Sequence, residues 1–370
     1  MTGANAADVN APRQVFVVDC GKRGQEHFEF NRGVFRSLAN RTIGFRFFGM
    51  KDMFEQHAFH IGDGRHGVYS WPRGFDHGKC ATILFKLLSL SIVFRAVLAG
   101  RSDFLVLYST PIAHLFLSLL SRLCRRKMVV FLHAEVEFLA QTDHARWRVG
   151  HWLMASALHL ASHRVTYLTL TKAAALAVSS RRRTGETSFI PHPVSPKTLN
   201  ATCGPKSLDP LHRLRSALMF SRPNVELDWL CNIGPVTRSH QINIILNGSV
   251  CVAPSVQDVC GAMSELLTCR SYLAREQFED QFWSCAFYFV GAGPSDYKLT
   301  ASGPACIAAS TGAVVFGCEN RFMCEYAALY PSHFRLGQPT DADVFRVAAS
   351  ALAPLDNLDN FACALEAALR

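Results

Sequence analysis

Short apolar runs alternate with stretches of helical periodicity from one end of the chain to the other, and this alternation sets the first expectation of fold. Val15-Phe16-Val17-Val18 is the first run; it ends at Asp19-Cys20-Gly21 and passes through a polar loop reaching Gln25 into a helical stretch from Phe28 to Leu38. Further strand-like runs are Phe104 to Tyr108, Met128 to Leu132, Val165 to Leu170 and Phe189-Ile190. Between them lie apolar helix candidates at Ile83 to Leu98, Ile112 to Cys124 and Trp152 to Leu160. Continuous apolar runs spaced by helices are the pattern of parallel strands buried on both faces. The first half therefore reads as one doubly wound α/β domain.

A polar region containing Pro and Gly, from Pro191 to about Asn224, breaks the rhythm. A second series follows, with strand candidates at Trp229 to Ile233, Val250 to Ala253, Ala286 to Val290, Ala313 to Phe316 and Phe334 to Leu336. Its helix candidates are Val256 to Leu267, Pro304 to Ser310, Arg321 to Leu329 and Ala342 to Leu352, the last opened by the capping pair Thr340-Asp341. The expected architecture is α/β, with two doubly wound Rossmann-like domains facing a cleft. Residues 1–195 and 228–352 form the domains, 196–227 the linker region, and 353–370 a C-terminal tail or crossover helix. Ligands of such sheets bind beyond the carboxyl ends of the strands, so the loops there should carry the chemistry.

Composition narrows the classes. Of 370 residues 49% are hydrophobic and only 18% charged, which excludes intrinsic disorder, and 24 Gly with 16 Pro exclude collagen-like architecture. A net charge of +9 and a mean hydropathy of +0.12 point toward a membrane surface or a phosphate-rich ligand. The most apolar stretch, Ala81 to Gly100, is interrupted by Lys86 and Arg95 and reads as an amphipathic or core helix rather than a span. The N-terminus carries Asp8 and Arg13 and no apolar signal region, so the expected location is the cytoplasm, with peripheral attachment to the inner face of its membrane. The 13 cysteines are scattered without any Cys-x-x-Cys pair, which fits neither a disulfide framework nor a zinc module.

Two segments of the second half carry candidate chemistry. Gly291-Ala292-Gly293-Pro294 follows an apolar strand and puts two glycines where backbone can approach a ligand closely, although a tight turn explains them equally well. Downstream, Tyr297 to Gly303 reads Tyr-Lys-Leu-Thr-Ala-Ser-Gly and leads into a helix, placing Ser302 and Gly303 at an N-terminus whose N–H groups and dipole favour an anion such as a diphosphate. No Gly-x-x-x-x-Gly-Lys-Ser/Thr loop is present, which argues against an ATPase or kinase.

Phe-Val-Gly-Ala-Gly-Pro, then Ser-Gly opening a helix, then Gly-Ala-Val-Val, then Gly337 to Asp341 before a closing helix resembles the C-terminal half of GT-B glycosyltransferases, in the manner of glycosyltransferase family 4. In the N-terminal half, Phe104 to Ser109 and Met128 through His133, Glu135 and Glu137 resemble that family's strand-helix-strand leading to a cleft histidine or acidic residue. Gly24 to His27 with Asn31 resembles the polar loop facing the acceptor, and Ser188 to Val194, with Pro191-His192-Pro193, the segment before the interdomain linker. The resemblance implies a metal-independent hexosyltransferase that takes a nucleotide-sugar as co-substrate, with no cofactor and no metal. Its acceptor would be a glycan or lipid-linked saccharide, in polysaccharide or glycoconjugate biosynthesis. The donor side would comprise Gly234, Arg238, Gly291, Gly293, Ser302 and Gly303, with Gly234, Thr237 and His240 falling in the loop after the first strand of that half. Catalysis would fall to Glu135, His133 or His27 as the base that deprotonates the acceptor.

The chain departs from the family where many retaining members carry two glutamates. Aligned on Gly312, those places hold Leu299 and Ile307. A second reading follows, in which the chain is a catalytically inactive GT-B-like glycan-binding or scaffold protein. Arginine and lysine at 122 and 125–127, 146 and 148, and 181–183 adjoin the apolar helices. They read either as a solvated face or as a surface resting on anionic lipid. Nucleic acid is not an expected partner, because no recognised binding module is visible.

Overall fold

The computed structural model describes residues 14–20, 28–51, 67–70, 79–100, 102–140, 145–196, 210–220, 227–247, 267–270, 275–291, 293, 297–349 and 353–370. The chain divides into two compact units. The first comprises Met1–Thr169, Val178–Ser188 and Asp359–Arg370, and the second Leu170–Ala177 and Phe189–Leu358.

Along the first part run β1 (Gln14–Asp19), α1 (Phe28–Asn40), β2 (Gly44–Met50), β3 (Gly67–Tyr69), α2 (Lys79–Leu98), β4 (Asp103–Tyr108), α3 (Pro111–Leu123) and β5 (Met128–Leu132). A 3-10 turn (Ala134–Leu139), α4 (Ala145–Leu160), β6 (Val165–Thr169), α5 (Lys172–Ser179) and β7 (Thr187–Phe189) complete it. The seven strands lie in the order β3-β2-β1-β4-β5-β6-β7. Val17 of β1 pairs with Phe47 on one side and Leu105 on the other, both in parallel register, so the strand order reverses at β1 and β4. Every residue of β5 and β6 is buried, because helices cover both faces of a parallel sheet. Local signals fix α3: Thr110 accepts a hydrogen bond from the Ala113 N–H at 3.3 Å, and Pro111 fills a first-turn position that needs no donor.

The pattern gave no strand at β2. Its sequence Gly-Phe-Arg-Phe-Phe-Gly-Met breaks an apolar run with Arg46 and two glycines, and residues 44–46 are only half-buried next to the short edge strand β3. The alternation that marks a covered strand is therefore weak there.

The second part contains α6 (Pro210–Leu214), β8 (Ser216–Phe220), α7 (Leu227–Ser239), β9 (Asn243–Asn247), β10 (Leu267–Arg270), α8 (Arg275–Ser284) and β11 (Phe287–Val290). It continues with α9 (Gly303–Ser310), β12 (Val314–Gly317), α10 (Arg321–Leu329), β13 (Phe334–Leu336), α11 (Asp341–Ala349) and α12 (Leu358–Leu369). Its parallel sheet has the order β10-β9-β8-β11-β12-β13, the same doubly wound plan with its reversal at β8 and β11. Alternate residues of β11 serve two cores: Phe287 and Phe289 join Met219 and Phe316 on one face, while Tyr288 and Val290 join Leu218, Val315 and Phe322 on the other.

Two expectations are corrected here. Trp229 to Ile233 is not a strand; it lies inside α7. Ile233 and Thr237, four residues apart, are both fully buried along one side of the helix, while the Gly234-Pro235 pair imitates a strand-ending turn. The first strand of this sheet is instead β8, inside the segment 196–227 that composition reads as linker. The expected strand Val250 to Ala253 and all but the last residue of the expected helix Val256 to Leu267 lie outside the described residues, and Leu267 begins β10.

Helix α12 belongs to the first unit. Phe361 stacks on Phe131 of β5 with ring centroids 5.9 Å apart and meets the edge of Phe30 of α1 at 6.3 Å. Glu366 lies 3.6 Å from Arg41 at the end of α1. Among the described residues no helix is long and apolar enough to cross a membrane.

Candidate functional site

In the second unit the strand order reverses between β8 and β11, and the carboxyl end of β11 runs into Gly291 and Gly293, both buried. Helix α9, which connects β11 to β12 and packs on both, starts beside these strand ends. Ser302 holds the extended conformation of a capping residue, φ −85° and ψ 107°, and its hydroxyl accepts from the Ala305 N–H at 3.5 Å. Pro304 supplies a first-turn residue without an N–H. From Ala305 to Ser310 the helix is buried on every side, so only its first turn reaches the surface. Helix N–H groups and the dipole make that turn a place for negative charge.

His192 completes this end of the unit. The space a Cβ on Gly303 would take lies 3.8 Å from its Nε2. The imidazole is buried and sits 3.1 Å through Nδ1 from the Pro193 carbonyl, which can only accept, so Nδ1 carries the proton and Nε2 keeps its lone pair. Burial lowers its pKa to about 4, and at neutral pH the ring is uncharged. Its backbone is fixed on both sides: the N–H donates to the Tyr326 hydroxyl at 2.9 Å, and the carbonyl accepts from the Asn357 amide at 3.1 Å. Asn357 also accepts from the Val194 N–H at 2.8 Å and donates to the Tyr330 hydroxyl at 2.9 Å.

Leu299 and Ile307, at the places of the family's glutamates, are both buried, and Ile307 belongs to the core that contains Tyr326 and Phe322. The Leu299 carbonyl accepts from the Thr171 hydroxyl at 2.6 Å. Neither side chain has an atom that can hydrogen-bond a hydroxyl.

Gly234 and Arg238 are helical residues, not members of a loop after the first strand. Arg238 lies in the last turn of α7 and its Nε donates back to the Gly234 carbonyl at 3.3 Å. Eleven helical steps separate it from Leu227, roughly 16 Å along the axis from the end that follows β8. Thr237 is spent on the helix itself, donating to the Ile233 and Gly234 carbonyls, and His240 lies 2.8 Å from Asp341. The structure thus brings Gly291, Gly293, Ser302 and Gly303 to one end of the sheet, and does not bring Gly234 and Arg238 there.

The first unit gathers a polar cluster at its own reversal point. β1 ends at Asp19, which is buried and accepts from the Asn31 amide at 2.9 Å. Cys20 donates through both its N–H and its thiol to the Tyr108 carbonyl at 3.2 and 3.3 Å. Burial, reinforced by the negative charge of Asp19 and more weakly by that of Glu135, pushes the Cys20 thiol far up, so it is no nucleophile. His133 leaves the end of β5 and opens the 3-10 turn, its ring set edge-on to Phe30 with centroids 4.3 Å apart. Glu135 and Glu137 follow in that turn, and all three side chains are buried. His27 lies outside the described residues. Asp19 and His192 were absent from the expected site residues. A lone carboxylate closing an apolar strand, and a histidine between two prolines, were the available signals.

Beneath α3 a second polar chain is sealed in the same unit. Ser109 lies 3.3 Å from His114 Nδ1, His114 Nε2 lies 3.0 Å from the Tyr167 hydroxyl, and the Arg182 guanidinium sits 4.5 Å from the centre of the Tyr167 ring. Burial, helped by the Arg182 charge, lowers the His114 pKa to about 3. Among the described residues no group of three or more His, Cys, Asp or Glu side chains is arranged to hold a metal ion.

No protein-family profile matches this sequence, and no curated protein sequence does either. Solved structures do match. Sucrose-phosphate synthase from Thermosynechococcus elongatus aligns with a TM-score of 0.62 at 12% identity, over 96% of each chain. HepE from Anabaena in complex with UDP aligns with a TM-score of 0.58 at 13% identity, over 95% of this chain and 94% of that one. UDP-GlcNAc 2-epimerase from Methanocaldococcus jannaschii aligns with a TM-score of 0.58 at 10% identity, over 96% of this chain and 99% of that one. With two doubly wound parallel sheets and these neighbours across nearly its whole length, the chain has the GT-B glycosyltransferase fold.

Proposed function

We propose that this chain is a glycosyltransferase that moves a sugar from a nucleotide-sugar donor to a saccharide acceptor. The observation that carries the reading is the first turn of α9, capped by Ser302, in the helix that follows β11 and the buried glycines Gly291 and Gly293 after it. In this reading the donor diphosphate rests on that turn, whose N–H groups take up the charge of the leaving group without a metal ion. His192, uncharged, accepts a donor hydroxyl through Nε2. HepE, a structural neighbour, was solved with UDP and with UDP-glucose, which supports a uridine nucleotide as the first donor to try.

The acceptor hydroxyl attacks the anomeric carbon as the bond to the diphosphate breaks, and its proton passes to a base. Glu135 is our choice of base, with His133 beside it as the alternative. We further assign the acceptor to the lipid-linked saccharides or glycans of polysaccharide and glycoconjugate assembly, and place the enzyme at the inner face of the cytoplasmic membrane. The test is turnover: released nucleoside diphosphate and a lengthened acceptor support transfer, whereas an isomerised sugar nucleotide without acceptor would assign the epimerase reaction of the Methanocaldococcus neighbour.

The apolar Leu299 and Ile307 favour a second reading, a catalytically inactive scaffold of the same fold. A scaffold binds its glycan or partner equally well with and without nucleotide and releases no diphosphate.

A further inference from the structure

Three neighbouring helices of the first unit bury one side and still expose large apolar side chains on the other. On α3 the buried side holds His114, Ser118 and Ser121 together with Ala113 and Leu117, while Leu119 and Leu123 face solvent, Leu123 being 77% exposed. On α2 the buried side holds Ser89, Ile92, Val93 and Ala96, while Leu87, Phe94 and Leu98 form an exposed stripe at helical spacing, Phe94 being 53% exposed. On α4 Trp152 is 63% exposed and Val149 lies one turn before it, also exposed. α2 packs against α3, and α3 against α4. An open depression lined by Leu90, Phe94, Leu98 and Phe116 joins the first two. Scattered exposed leucines are ordinary; large exposed apolar side chains repeated on three neighbouring helices are not.

Charge identifies the occupant. The segments 79–100, 111–128 and 145–164 contain lysine and arginine but no aspartate or glutamate, in a chain with 29 acidic residues. Arg95, Arg122 and Arg148 are exposed on these helices. We propose that the face formed by α2, α3 and α4 docks on an anionic lipid surface, with its apolar side chains in the headgroup boundary and its cations among the lipid charges. Trp152 has the amphipathic ring that such a boundary favours. The inference deepens the assignment of a lipid-linked acceptor, and it rests on that reading only for its purpose.

The test is co-sedimentation of the full chain, without nucleotide, with vesicles of phosphatidylcholine alone or of phosphatidylcholine rich in phosphatidylglycerol. The anionic vesicles should bind about tenfold more tightly, with the difference shrinking as salt rises. A Phe94→Ser/Leu123→Ser variant should lose about tenfold in vesicle affinity, since both apolar contacts go, while its melting temperature stays put because both side chains are exposed. Absent or equal binding to the two vesicle types overturns the proposal. So does a wild-type dimer in solution that the double variant splits, since that assigns the face to a second copy. Donor titration in vesicle-free buffer separates the two readings: loss of vesicle binding with intact donor binding overturns the docking face alone, and vesicle binding without any donor binding supports the face and overturns the transferase.

Discussion

The side-chain amide of Asn357 donates to the carbonyl of His192 across 165 positions of sequence, at 3.1 Å. It pins the segment Pro191-His192-Pro193 at the end of the second unit where α9 begins, and Tyr326 pins the same residue through its N–H. The backbone bonds hold the histidine in place, while the Pro193 carbonyl fixes its tautomer.

Asn357→Ala removes three hydrogen bonds and leaves the Val194 N–H and the His192 carbonyl without those partners. Denaturant unfolding should show a loss of about 1–3 kcal/mol. Donor affinity should fall as well, because the ring would no longer be held against Gly303. Unchanged stability would mean that water replaces the amide without cost.

Glycines 303 and 317 make a contrasting pair. A Cβ on Gly303 meets only His192 Nε2 at 3.8 Å, ordinary contact, so Gly303→Ala should leave the melting temperature within a degree or two. A Cβ on Gly317 would lie 3.0 Å from Val290 Cβ and 3.2 Å from Met323 Cγ, inside a closed core. Gly317→Ala should therefore cost about 1–3 kcal/mol from overpacking. Equal melting temperatures for the two variants would contradict this packing.

Acid should destabilise the fold through its buried histidines. His114 and His192 titrate near 6.5 when unfolded and near 3 and 4 when folded, so between these values the unfolded chain binds more protons. Stability is complete above about pH 6.5 and declines as pH falls toward 4, each histidine contributing a slope of about 1.4 kcal/mol per pH unit. In His114→Gln one such slope should disappear from urea melts taken across that range. A pH dependence identical to wild type would place the acid sensitivity elsewhere.

Much of the fold is legible in the pattern because parallel strands covered on both faces leave unbroken apolar runs. Met128–Leu132 and Arg321–Leu329 fall where periodicity puts them, since one is wholly buried and the other has a sharp cap at Asn320. α7 escapes the pattern because Trp229 to Ile233 is apolar enough to pass for a strand and Gly234-Pro235 mimics its end, and only the burial of Ile233 and Thr237 on one side decides for a helix. Of the site, Ser302 and Gly303 were readable because a cap and a proline in the first turn are local signals. Asp19 and His192 were not, because their partners Asn31, Tyr326 and Asn357 are brought to them by tertiary structure.

Glu135→Gln keeps the shape of the side chain and removes its basicity. In the proposed reaction it should bind donor with unchanged affinity and lose turnover by about 100-fold or more. Should turnover survive, Glu135 is not the base, and the same assay on His133→Gln would test its neighbour.

Isothermal titration of the full chain with UDP-, GDP- and dTDP-linked sugars shows whether the first turn of α9 receives a donor diphosphate. Saturable heat is expected with one nucleotide class, and at least about a tenfold loss of affinity in Gly303→Val, whose branched side chain crowds the approach to the turn while the melting temperature is retained. No heat with any of these donors, or equal affinity in the variant, would contradict it.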